Sequence, residues 1–108
     1  MAARLAAGML VSALIRRAEE LGGSGAVLAK GDATAGALLI QLADRGVPGP
    51  LLERRLDAHG AYRWSPTGPE DAEQRGDYIA RRRRSDPDLW VLELDVSDGM
   101  QLVGDIAG

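Results

Sequence analysis

The residues with the most capacity for chemistry in this sequence are its arginines. Arg16 and Arg17 are adjacent, Arg81, Arg82, Arg83 and Arg84 run consecutively, and Lys30 is the single lysine. A guanidinium offers forked donors to phosphate oxygens, and clustered cations release counterions when they meet a polyanion. Both groups are therefore candidate contacts for RNA or for another acidic partner. The run at Arg81–Arg84 has a second reading. Cations at a helix C-terminus are each favoured by about 0.3–1 kcal/mol, and Asp86 and Asp88 stand close enough in sequence to pair with some of them. Four consecutive helical residues also point about 100° apart and cannot make one flat patch. The second reading is the stronger.

Other polar residues carry weaker signals. Asp86, Asp88, Glu93 and Asp95 invite comparison with a hard-cation or acid–base site, but neither a histidine nor a DxDxDG loop accompanies them. Gly31-Asp32 and Gly36 lack the G-x-x-x-x-G-K-[ST] phosphate loop, and they read as a strand connection. His59, the only histidine, sits in Asp57-Ala58-His59-Gly60. Asp57 could orient it for proton transfer, yet no serine stands in a G-x-S-x-G elbow for it to serve, so it reads as a solvated turn residue. Trp64, beside Tyr62 and Arg63, is open to stacking on a ligand or partner, whereas Trp90, alternating with Leu92 and Leu94, reads as core. The sequence thus marks no catalytic residue, no metal site and no cofactor. Its candidate partner- or nucleic-acid-binding residues are Arg16, Arg17, Arg81, Arg82, Arg83, Arg84 and Trp64.

Periodicity gives the elements that must position these groups. Ala7, Leu10, Val11, Leu14, Ala18 and Leu21 repeat as one buried helical face over residues 7 to 21, with Arg16 and Glu20 outside at i,i+4 spacing and Gly22-Gly23 as the stop. Ala26–Ala29 and Ala37–Leu42 read as short buried strands, joined by a loop whose Gly31 and Gly36 suggest unusual dihedrals. Pro48 and Pro50 argue against a central strand before Leu51–Leu56. Ala61–Ser65 alternates as a strand, with Tyr62 and Trp64 on one side. Thr67-Gly68-Pro69-Glu70 has capping-box spacing, which predicts a helix from about Pro69 to Arg84 with a thin apolar stripe at Ala72, Gly76 and Ile79. Asp86-Pro87 ends it. Leu89–Val96 reads as the best strand, and Ser97-Asp98-Gly99 as a turn into Met100–Val103, completing a C-terminal hairpin.

These elements predict an α+β fold over residues 1–108 as a single domain. Its sheet would be largely antiparallel, with about five or six strands, an N-terminal helix and a second helix before the hairpin, because short connections do not carry parallel crossovers. At 108 residues and 45% hydrophobic the chain is the size of one domain with a genuine core. The net charge of −3, from 13 basic and 16 acidic residues, favours neither nucleic acid nor acidic membranes as a whole-molecule field. The absence of cysteine excludes disulfides, thiolate metal sites and a cysteine nucleophile, and fits a cytoplasmic location. Leu5–Ile15 is too short an apolar run to cross a bilayer, and Arg16-Arg17 follows with no cleavage site between.

Three segments in this order resemble one family. They are Val11-Ser12-Ala13-Leu14-Ile15-Arg16-Arg17-Ala18, Lys30-Gly31-Asp32 with Ala35-Gly36-Ala37, and above all Arg81-Arg82-Arg83-Arg84-Ser85-Asp86-Pro87-Asp88-Leu89-Trp90-Val91. The chain resembles domain-of-unknown-function family 1491, small single-domain proteins of alphaproteobacteria. The likeness spans nearly the whole chain, and the stretch from Val47 to Asp57 departs from it. The resemblance implies extent of fold and no site residues. Three functions follow in order of weight. The first is a non-catalytic binding or interaction module that meets a protein partner or forms a homodimer. The second is an RNA- or ribosome-associated protein using the arginines, and the third is an enzyme of unidentified type.

Overall fold

The computed structural model describes residues 5–108. The elements run α1 (Ala7–Glu20), β1 (Ser24–Ala29), β2 (Leu38–Asp44), β3 (Val47–Leu56), β4 (Tyr62–Pro66), a 3₁₀ turn (Ala72–Gln74), α2 (Arg75–Ser85), β5 (Trp90–Asp95) and α3 (Gly99–Ala107). This is an α+β fold with one five-stranded mixed sheet in the order β1-β5-β2-β3-β4.

Three of the four pairings are antiparallel, but β2 and β5 run parallel, Leu38 opposite Trp90 and Leu42 opposite Leu94. The short loops do connect as expected. The crossover is the whole excursion from β2 through β3, β4 and α2 back to β5, which inserts between β1 and β2 and separates two strands that are neighbours in sequence. Pro48 and Pro50 lie inside β3, in the half that pairs with β2 alone; β4 joins only from Leu52 onward. Pro50 falls in the register shift between Gln41 and Ala43, and a bulge is one of the places where a sheet admits proline; there the Gln41 side-chain amide donates to the Leu42 carbonyl at 2.7 Å.

The sheet buries both faces. One face carries Leu38, Ile40, Leu42, Leu52, Trp90, Leu92 and Leu94 against α1 (Ala7, Val11, Leu14, Ala18) and α3 (Leu102, Val103). The other carries Leu39, Leu51, Leu89 and Val91 against Tyr78 and Ile79 of α2. Alternation along β2 and β5 sends successive residues to opposite sides, which is why both strands read as near-continuous apolar runs.

The expected C-terminal hairpin is not formed. Met100–Val103 belongs to α3, which buries Gly99, Leu102 and Val103 at i, i+3 and i+4. Asp98 takes a left-handed conformation (φ 56°) that turns the chain back over the sheet, and a Cβ on Gly99 would stand 2.9 Å from the Leu42 side chain. The four-residue run Met100–Val103 satisfies either period, and packing over Leu42 selects the helix. The predicted helix from Pro69 is shorter as well. Thr67 turns its hydroxyl away from the backbone toward Tyr78 and Glu53, and Asp71 caps the 3₁₀ turn through Glu73 N–H. Gly31 and Gly36 do not need left-handed dihedrals; a Cβ at either would lie 2.1–2.2 Å from the Asp88 carbonyl oxygen. Their loop packs directly on the start of β5, where Trp90 Nε1 donates to the Asp32 carbonyl at 2.7 Å. On α1 the ion pair is Arg17–Glu20 at 4.0 Å.

Candidate functional site

The arginine groups separate in space. Arg16 and Arg17 are exposed on α1, which covers one face of the sheet, whereas Arg81–Arg84 belong to α2 on the opposite face. Within the run, helical rotation gives each residue a different environment. Arg82 faces the sheet, with Nη1 donating to Glu53 Oε1 at 2.9 Å and Nη2 to Glu53 Oε2. Arg83 leans over the end of β1 toward the Lys30 carbonyl at 3.5 Å. Arg81 and Arg84 point to solvent.

Arg82 is the centre of a polar clasp between α2 and β3. Its Nη1 also donates to Tyr78 Oη at 3.0 Å, Tyr78 shares a hydrogen bond with Thr67 Oγ1 at 3.1 Å, and Arg55 reaches both Thr67 and Glu53. The bidentate Arg82 fork holds the Glu53 carboxyl below its ordinary 4.5 against burial, which pushes it up, with Arg55 and Thr67 assisting. The same pair raises Arg82 further above its already high value. Burial pushes the Tyr78 phenol up, but bonds from Thr67 and Arg82 outweigh it and leave it below 10.0. A turn earlier, buried Arg75 donates to the carbonyls of Pro69, Gly49 and Glu70 and to Gln41 Oε1, at 2.6–3.0 Å.

The sheet-facing stripe of α2 is therefore Arg75, Tyr78, Ile79 and Arg82, at i, i+3, i+4 and i+7. The spacing was present in the sequence, but arginines occupied positions that a search for apolar residues passes over. Sequence reasoning also missed Glu53, whose value comes from its place opposite α2.

Trp64 lies at the other candidate feature, on the α1/α3 face. A cleft of about 870 Å³ opens there between the start of α1, the loop before β2, the end of β3, β4 and the end of α3. Leu10, Leu38, Trp64 and Ile106 give it an apolar floor. Trp64 is partly buried, and its Nε1 donates to the Ala107 carbonyl at 3.3 Å, fixing the indole across the cleft. Arg54 stacks over the Tyr62 ring at 4.9 Å along one wall. Glu53 also borders the cleft, and its carboxylate is engaged by Arg82 of α2.

Asp57, Asp86 and Asp95 each hold the backbone of a turn. Asp57 accepts from Ala61 N–H, Arg63 Nε and His59 N–H, which keeps its carboxyl below 3.8 and shapes the exposed turn that carries His59. Asp86 accepts from Asp88 N–H, and Asp95 receives Arg45 N–H and Gly46 N–H. Among the described residues no group of three or more His, Cys, Asp or Glu could hold a metal ion.

A mixed five-stranded sheet clasped by α2 and cleft on its α1/α3 side defines a small α+β class in which a parallel pair sits at the centre. The chain belongs to the DUF1491 family of proteins of unknown function, whose family model matches residues 5–104. That match runs through Val47–Asp57, the stretch that departed from the resemblance. The fold is similar to the crystal structure of a DUF1491 family protein from Caulobacter crescentus CB15 (36% identity over 91% of this chain and 94% of that one, TM-score 0.77). It is equally similar to the NMR structure of a DUF1491 family protein from that organism (36%, 94% of each chain, TM-score 0.76). The solution structure of protein Atu0922 from A. tumefaciens is 30% identical over 89% of each chain, with a TM-score of 0.72. No curated protein matches the chain. The family carries no assigned function.

Proposed function

We propose that this chain is a cytoplasmic binding module without catalysis, whose cleft takes an apolar segment of a protein partner. The observation that carries this reading is the cleft itself: about 870 Å³ with Trp64 laid across it. That volume lies within the roughly 300–1,000 Å³ of ligand-binding clefts, and an indole with its N–H already bonded offers an apolar face there. The lack of cysteine supports a reducing compartment. No helix among the described residues is long and apolar enough to cross a membrane.

Trp64 supplies its own assay, because the only other tryptophan, Trp90, is buried in the core. Titration with a short amphipathic peptide of leucine and phenylalanine is expected to change Trp64 emission saturably. Leu10→Glu, which places a charge on the cleft floor, is expected to abolish that change while circular dichroism stays native. No change at millimolar peptide, or an equal change in L10E, rules the reading out. RNA binding through the arginines is the lesser reading, since Arg82 is engaged by Glu53 and the two groups sit on opposite faces.

A further inference from the structure

The sheet treats its open edges unequally. The exposed half of β3 carries Pro48 and Pro50, and β4 carries Arg63 and ends at Pro66. Proline and charge are the usual means by which an edge is closed to strand addition. The edge strand β1 has neither: Ser24–Ala29 reads Ser-Gly-Ala-Val-Leu-Ala. It pairs only with β5, and Val27 and Leu28 are 44% and 56% exposed.

We infer that β1 is the seam of a homodimer, pairing antiparallel with β1 of a second copy across a twofold axis normal to the sheet. Such an axis keeps each face on its own side, so residues of like face must meet, and a one-residue slip is forbidden. The pairing with β5 is regular from Ser24 to Val27, and Leu28 falls in the register shift before Ala29. Like-face pairing places the twofold at a residue, and at Ala26 it sets Gly25 opposite Val27 of the second copy and brings Ser24 toward Leu28. Each bulky exposed side chain meets a small one. Beyond the strand, the same register sets Lys30 of one copy toward the exposed Glu19–Glu20 end of α1 in the other, once on each side of the axis. The helix C-terminus adds to that attraction. The result joins two five-stranded sheets into one and leaves the cleft of each copy untouched.

Sedimentation equilibrium of the full chain from micromolar to millimolar concentration tests the seam, together with hydrogen exchange of the β1 amides. A reversible dimer is expected, with amide protection across Ser24–Leu28 that rises with concentration. Val27→Lys puts two like charges at the seam on a side chain that is already exposed, so the monomer folds. It should raise the dimer dissociation constant about tenfold or more. Leu10→Glu should leave the dimer unchanged, which separates this inference from the cleft reading. A chain that stays monomeric to millimolar concentration overturns it. So does a dimer that survives V27K with β1 amides exchanging as in dilute solution.

Discussion

Replacing the arginines of the α2 run one at a time should give unequal results. Arg82→Ala removes two bonds to a carboxylate whose side chain is only 15% exposed, together with one to Tyr78 Oη. A charge-assisted hydrogen bond contributes about 1.5–3 kcal/mol, and an abandoned partner costs its desolvation as well. Arg55, already 3.4 Å from Glu53, takes up part of the loss. The expected cost is therefore about 1–3 kcal/mol, or a fall in Tm of roughly 4–8 °C for each kcal/mol lost. Arg81→Ala and Arg84→Ala, on exposed side chains, should stay within about 0.5 kcal/mol of wild type. Urea unfolding followed by tryptophan emission measures all three. The acid dependence supplies a second check. Glu53 is held below 4.5 in the folded state, so its contribution is present above that value and is lost as pH falls through the folded value. The gap between wild type and R82A should be full at pH 7 and shrink toward pH 3. Equal stabilities for R81A, R82A and R84A, or a gap that does not change with pH, would refute the clasp.

Two further outcomes follow from single residues. Arg75→Lys keeps the charge but cannot reach Pro69, Glu70, Gly49 and Gln41 at once; it should cost about 1–3 kcal/mol in the same urea assay. Gly36→Ala drives a methyl to 2.2 Å from the Asp88 carbonyl and should cost more than about 2 kcal/mol, whereas Gly104→Ala meets open space within α3 and should gain about 0.5–1 kcal/mol by thermal unfolding.

Where an element buries one face through a repeated apolar pattern, the sequence was a sufficient guide. α1 buries Ala7, Val11, Leu14 and Ala18 as their spacing requires, and β5 sends Trp90, Leu92 and Leu94 to one side. Where an element is short, periodicity has no power. Met100–Val103 is apolar at too few positions to distinguish a strand from a helix, and only the approach of Gly99 to Leu42 decides. The parallel pairing of β2 with β5 was hidden for a different reason. Each loop is short, and a rule about single connections does not see a crossover spread over two strands and a helix.

The cleft and the clasp were illegible because their residues are separated by tens of positions and joined only by the sheet. Trp64 could be singled out as an aromatic with an open side, but Leu10, Leu38 and Ile106 become its neighbours only once α1 and α3 share a face. The arginine run shows the converse. Four identical residues suggest one property, yet a helix turns each by about 100° relative to the last. In α2 that rotation assigns Arg82 to the sheet beside Arg75, Tyr78 and Ile79, and gives Arg81 and Arg84 to solvent. Charge in the run is thus divided between fold and surface. Because Arg82 and Arg75 hold the helix against the sheet through Glu53, Gln41 and backbone carbonyls, α2 needs only Tyr78 and Ile79 as apolar contacts. That is why its thin stripe suffices to cover the second face.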